Sequence, residues 1–103
     1  MSVLSANELN EVIRQRSSEL RSMGARSLSL FGSFARGDQG PSSDVDLIVE
    51  FEPGRKNFDD FMRLAFFLEE IVGRPVELLT REALSPRLSA RILAEAQNVP
   101  LGP

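Results

Sequence analysis

The sequence predicts an α+β domain: a small mixed sheet of about three strands with helices packed on it, in the order α-β-α-β-α-β-α. Three observations carry this. Apolar residues recur at helical spacing near the start of the chain and again over 57–72. Shorter β-type runs at 27–31, 44–51 and 75–80 alternate with those helical stretches. Between them lie Gly, Pro, Ser and Asn, the residues that cap helices and make turns.

Taken in order, Ser5-Ala6-Asn7-Glu8 is a capping box, with Leu4 and Leu9 at the hydrophobic-staple positions around it. Leu9, Val12, Ile13, Leu20 and Met23 form one apolar stripe of a helix that Gly24 ends as its C′ residue. Arg16 falls inside the stripe as a snorkelling side chain with a buried stem. The run Ser27-Leu28-Ser29-Leu30-Phe31 alternates like a half-buried strand and delivers Gly32-Ser33 at its end. Phe34-Ala35-Arg36-Gly37 reads as a short helical turn, and 38–43 as a loop, with Ser43 placed to cap or position Asp44. In the second strand Val45, Leu47, Val49 and Phe51 share one face, and Asp44, Asp46, Ile48 and Glu50 the other. A turn-rich loop carrying Arg55 and Lys56 leads to the longest helix, with Asn57 as N-cap and Phe58, Phe61, Met62, Ala65, Leu68 and Val72 inward. Leu64, Phe67 and Ile71 make a second apolar strip on that helix, read as an oligomeric or partner surface, the alternative being packing against the chain's own last helix. The third strand follows Gly73-Arg74, and Ser85-Pro86 caps a last helix running to about Gln97 with Leu88, Ile92, Leu93 and Ala96 inward. Asn98 onward reads as a tail.

A chain of 103 residues is one domain, residues 1–103, with room for a real core. A net charge of −3 without any basic run argues against a generic nucleic-acid surface. The absence of cysteine removes disulfides and thiol chemistry, and the absence of histidine removes the usual general base. No signal-peptide pattern and no membrane-length apolar run occur, so a cytoplasmic protein is expected.

The chemistry concentrates in two places. Asp44 and Asp46 lie two apart in a β-like run, so their side chains share a face with Cα atoms about 7 Å apart. Paired carboxylates at that separation suit a hard cation such as Mg²⁺, which takes its remaining ligands from water and substrate phosphates. Gly32 lets the main chain approach a phosphate, and successive N–H groups at a strand-to-helix turn form an anion nest to which the Ser33 hydroxyl adds a donor. Arg36 is placed to steady a triphosphate or a partner's acidic group, or to be solvated in its turn. A phosphate cradle facing an acidic metal site is what phosphoryl or nucleotidyl transfer requires.

Gly32-Ser33, ten residues, then Asp44-x-Asp46 at the opening of a second strand resembles the minimal nucleotidyltransferases of the DNA polymerase β superfamily, and the likeness runs over nearly the whole chain. The resemblance implies the polymerase β-like nucleotidyltransferase fold, ATP as substrate, and one or two Mg²⁺ ions held by Asp44 and Asp46. It also implies a third carboxylate on the third strand, where the family usually carries aspartate and this chain has Glu77. Glu77 keeps the charge, adds one methylene, and would serve as ligand or as base. Members of this shape commonly act as antitoxins that transfer AMP from ATP to a tyrosine of a co-encoded helical ribonuclease toxin of the HEPN family. The implied function is therefore protein adenylylation of such a partner. Two alternatives stand beside it: an antitoxin that neutralises its partner by binding alone, and a small-molecule nucleotidyltransferase like the antibiotic-modifying ones, which usually carry a further acceptor-binding domain.

Overall fold

A computed structural model describes residues 2–101; Met1 and the tail's Gly102 and Pro103 lie outside the described residues. Ser5 caps the first helix as its box predicts, its hydroxyl accepting from the Glu8 N–H at 3.2 Å. Beyond that cap the first helical stretch departs from a single rod. It forms α1, Ala6–Gln15, and α2, Ser17–Ser22, with a break at Arg16. The break comes where Arg16 is followed by Ser17-Ser18, poor residues for a helix interior. Leu9, Ile13 and Leu20 are still fully buried, so the apolar stripe survives the bend. Arg16 does not snorkel within a continuous helix: its guanidinium pairs with Glu19 at 2.7 Å and lies over the Phe67 ring. The staple position is also corrected. Leu4 is exposed, and Val3 is the buried residue, tied by its N–H to the Val72 carbonyl at 2.9 Å.

The sheet has four strands rather than about three, in the order β3-β2-β1-β4. β1, Ala25–Phe31, pairs antiparallel with β2, Val45–Phe51, and β2 pairs parallel with β3, Val76–Thr80. The fourth strand, β4, Gln97–Val99, comes from what reads in sequence as tail, and lies antiparallel to β1 with Leu28 opposite Val99. Three residues are too few to show a period, but Val99 and Leu101 are buried where the strand docks.

Between β1 and β2 sits the short helix α3, Gly32–Arg36. α4, Phe58–Val72, is capped by Asn57, whose side-chain oxygen accepts from the Asp60 N–H at 2.8 Å, and ends on Gly73. Its inward stripe is Leu64, Leu68 and Val72, whereas Phe58 is 75 % exposed. Leu64 therefore belongs to the core, and Phe67 and Ile71 are half-buried against it. Of the strip Leu64, Phe67 and Ile71 read as an oligomeric or partner surface, Leu64 is corrected to core, while Phe67 and Ile71 stay partly exposed on the side where α1 packs on α4. α5, Pro86–Glu95, stops two residues short of Gln97 and buries Ile92, with Leu88 exposed rather than inward.

Two apolar clusters follow from β-strand alternation. Leu28, Leu30, Val45, Leu47, Val49 and Leu78 join the residues of α1, α2 and α4 on one face. Phe31, Ile48 and Ile92, with Leu79 and Leu93, form a smaller cluster under α5 on the other. Asp46 and Glu77 point to this second face, as their alternation with Val45, Leu47 and Leu78 requires. Among the described residues no helix is long and apolar enough to cross a membrane.

Candidate active site

Strand register assembles the site. Asp46 stands opposite Phe31 in the antiparallel pair and opposite Glu77 in the parallel pair, so its carboxylate lies between the end of β1 and the start of β3. The residue after Phe31 is Gly32, at φ +73, and a Cβ built there would lie 2.1 Å from Asp46 Oδ2. Glycine is required twice at this position, by the left-handed backbone and by the carboxylate resting on it. Asp44 follows the loop on the same side as Asp46 and is exposed, next to the β2–β3 junction where the Val45 N–H donates to the Pro75 carbonyl.

Three negative charges thus meet at one end of the sheet. Burial, the hydrogen bond to the neighbouring Glu77 carboxyl, and the charges of Glu77 and Asp44 together push the Asp46 carboxyl up to about 6, while Arg36 opposes the rise. A carboxylate held protonated by its neighbours to near neutrality marks a place where a cation would be welcome. Among the described residues no three acidic side chains stand ready as a closed metal-ligating cluster. Asp46 and Glu77 are in contact and Asp44 is open to solvent, an all-oxygen set that fits a hard divalent ion drawing its other ligands from phosphate and water.

Arg36 faces this acidic end from α3. It pairs with Asp38 at 3.2 Å and with Glu95 at 3.3 Å. Glu95, in the last turn of α5, also accepts the Gly32 N–H at 3.2 Å. The main-chain donor expected to meet a phosphate is therefore satisfied by a carboxylate of the chain itself. Ser33 follows in the first turn of α3, half-buried. Glu50, farther along the acidic face, is exposed and pairs with Arg81. Arg55 and Lys56 lie beyond the opposite end of β2, engaged with Asp60 and Glu82.

Sequence reasoning missed two residues. Glu95 reads as one polar position on a helix surface, and only the packing of α5 beside α3 brings it to Gly32. Arg74 reads as part of a turn. It is instead the one buried charged residue among those described, 8 % exposed, with its guanidinium on main-chain carbonyls of Val3, Gly40 and Ser43.

The nucleotidyltransferase domain family matches residues 8–99, and a solved structure of a putative minimal nucleotidyltransferase superimposes with a TM-score of 0.71 at 36 % identity, covering 94 % of this chain and 98 % of that one. The chain belongs to the minimal nucleotidyltransferase family. Among its relatives is "Putative protein adenylyltransferase MJ0435" of Methanocaldococcus jannaschii, 42 % identical over 88 % of this chain and 97 % of that protein. Protein adenylyltransferase MntA of Thermococcus cleftensis is 31 % identical over 96 % of this chain and all of the relative. The fold alone is shared with a chain of the complex of a tri-AMPylated Shewanella oneidensis HEPN toxin with MNT antitoxin, at a TM-score of 0.61 and 17 % identity over 87 % of this chain and 71 % of that one.

Proposed function

We propose that this chain is a Mg²⁺-dependent protein adenylyltransferase that moves AMP from ATP to a hydroxyl, a tyrosine, of a co-encoded HEPN-type toxin and so acts as its antitoxin, working as a single cytoplasmic domain. The observation that carries the reading is the seating of Asp46 on Gly32, in register with Glu77 and beside Asp44. It joins a phosphate-approach glycine to a cation-seeking carboxylate set in one constellation. The names of the two relatives support the same chemistry.

In this reading Asp44 and Asp46, with Glu77 as third ligand, would hold the ion. Mg²⁺ there would neutralise the triphosphate and stabilise the departing pyrophosphate. The Gly32 N–H, the Ser33 turn and Arg36 bind the β- and γ-phosphates once Glu95 gives way, which aligns the α-phosphorus over the acidic face. Alternatively Glu77, exposed beside Asp46, would leave the ion to the two aspartates and serve as the base for the acceptor hydroxyl's proton. The acceptor oxygen bonds to the α-phosphorus, the α–β bridging bond breaks, and pyrophosphate leaves with that electron pair. Of the two features that favour the binding-only alternative, the apolar strip on α4 is weakened because Leu64 belongs to the chain's own core, and Glu77 in place of aspartate remains.

The test is transfer of label from ATP marked at its α-phosphate, in Mg²⁺, with and without the co-encoded partner, comparing wild type with Asp44→Asn/Asp46→Asn. Label on the partner only with intact aspartates is expected. A stable complex that forms without labelling, and forms equally with the double variant, would overturn the enzymatic reading.

A further inference from the structure

Arg74 is buried, and a buried guanidinium is costly unless its donors are met. Here Nε and Nη1 are met by main-chain oxygens from two separated parts of the chain. Nε donates to the Val3 carbonyl at 2.7 Å, and Nη1 donates to the carbonyls of Ser43 at 2.9 Å and Gly40 at 3.0 Å, with Pro41 at 3.4 Å. The guanidinium plane also lies over the Phe34 ring, 5.0 Å from its centre. Ser43 closes the same loop on itself, its hydroxyl accepting the Gly40 N–H at 2.8 Å, and Gln39 ties the loop to the Leu4 carbonyl at 3.0 Å. The held loop, 39–43, ends immediately before Asp44, which lies outside β2 and has no ladder of its own to fix it.

We propose that Arg74 is the positioning residue for Asp44, clamping the loop that presents this carboxylate and coupling its place to the N-terminal segment at Val3. The proposal rests on the nucleotidyltransferase reading only where it says what Asp44 is positioned for. Three carbonyls converging on one fork explain why the position needs arginine. A lysine keeps the charge but is a point donor without the planar fork, and cannot reproduce this geometry. The Phe34 ring completes the seat from α3, so the clamp touches both the Asp44 loop and the helix that begins at Gly32.

The experiment uses the full chain as wild type, Arg74→Lys, Phe34→Leu and Asp44→Asn. Three quantities are read: amide hydrogen exchange along the chain, binding of Mn²⁺ in the presence of a non-hydrolysable ATP analogue, and transfer activity against Mg²⁺ concentration. For Arg74→Lys we expect exchange protection to fall over 40–44 while the amides of β1 and β2 keep theirs. Mn²⁺ affinity should drop by about 10- to 100-fold, the usual cost of removing a group that orients a ligand. Transfer activity should recover at high Mg²⁺. Phe34→Leu, which leaves the hydrogen bonds and removes the ring, should give a smaller change of the same pattern. Unchanged protection over 40–44 in both variants overturns the proposal. So does loss of protection spread evenly over the sheet, which marks a role in folding alone. A wild type that binds no Mn²⁺ removes the nucleotidyltransferase reading instead, and the exchange data still decide whether Arg74 holds the Asp44 loop.

Discussion

Replacing Asp46 with asparagine should stabilise the metal-free protein while abolishing transfer. The carboxyl titrates at about 6 against an ordinary 3.8, chiefly through burial and the neighbouring Glu77. Its folded-state value is the higher one, so the stability it contributes is complete below the unfolded value and is lost as pH rises through about 6. If the site were dry, a gap of roughly two pH units would correspond to about 3 kcal/mol. Asp46 is only half-buried, and screening by water brings the figure to about 1 kcal/mol. For a domain of this size that is a shift of about 4–8 °C in melting temperature. The assay is thermal unfolding in EDTA at pH 4 and pH 8, wild type against Asp46→Asn. At pH 8 the variant should melt higher, and at pH 4, where the wild-type carboxyl is protonated, the gap should narrow. Added Mg²⁺ should raise the wild type alone. A variant that melts at or below the wild type at pH 8 in EDTA would refute the reasoning, as would a gap that ignores pH.

Gly32→Ala puts a methyl 2.1 Å from Asp46 Oδ2 on a backbone at φ +73. It should fold with about 2–3 kcal/mol less stability and lose about 100-fold in transfer rate, read by melting and by the labelling assay. Glu95→Ala frees the Gly32 N–H and removes one of the two carboxylates on Arg36, leaving Asp38; the KM for ATP should fall by about three- to fivefold, the factor set by an exposed ion pair of up to about 1 kcal/mol, and a rise would count against the phosphate cradle. Glu77→Asp draws the carboxyl back from Asp46 by one methylene, so the Asp46 titration followed by carboxyl NMR should move below 6. Leu64→Ala should cost about 2–5 kcal/mol in denaturant unfolding and leave the elution volume unchanged, because Leu64 is core and fully buried.

The architecture and the acidic residues were legible because they rest on local rules. Capping residues Ser5, Asn57 and Ser85 each accept the N–H three residues on, as their sequence contexts require. Alternation put Asp46 and Ile48 on one face of β2, and both lie there. What escaped the sequence depends on contacts between distant segments. β4 exists because β1 has a free edge for Gln97–Val99 to pair with, a fact about the sheet rather than about those three residues. Leu64 and Phe58 exchanged places because the arc of α4 that faces inward is set by where α1 and the sheet meet it. Arg74 and Glu95 find their partners 31 to 71 and 59 to 63 positions away, where no spacing rule reaches.

The two halves of the site share one property: each is satisfied from within the chain by a stand-in of the charge it would otherwise seek. Positive charge is wanted at Asp46, and below about pH 6 a proton supplies it, shared toward Glu77. Negative charge is wanted at the Gly32 N–H and at Arg36, and the Glu95 carboxylate supplies it. Both stand-ins are weak, one a proton lost near neutrality and the other an exposed ion pair. Each can be displaced at small cost by the stronger ligand it imitates. Displacing either favours displacing the other: a cation at Asp46 strengthens the field for a phosphate at Gly32, and moving Glu95 away opens the Nη1 end of Arg36 to that phosphate while Asp38 keeps its Nε. A metal-bearing triphosphate answers both demands in one molecule. On the proposed reading, that is how an end of the sheet already satisfied from within the chain would still take up a metal-bearing triphosphate.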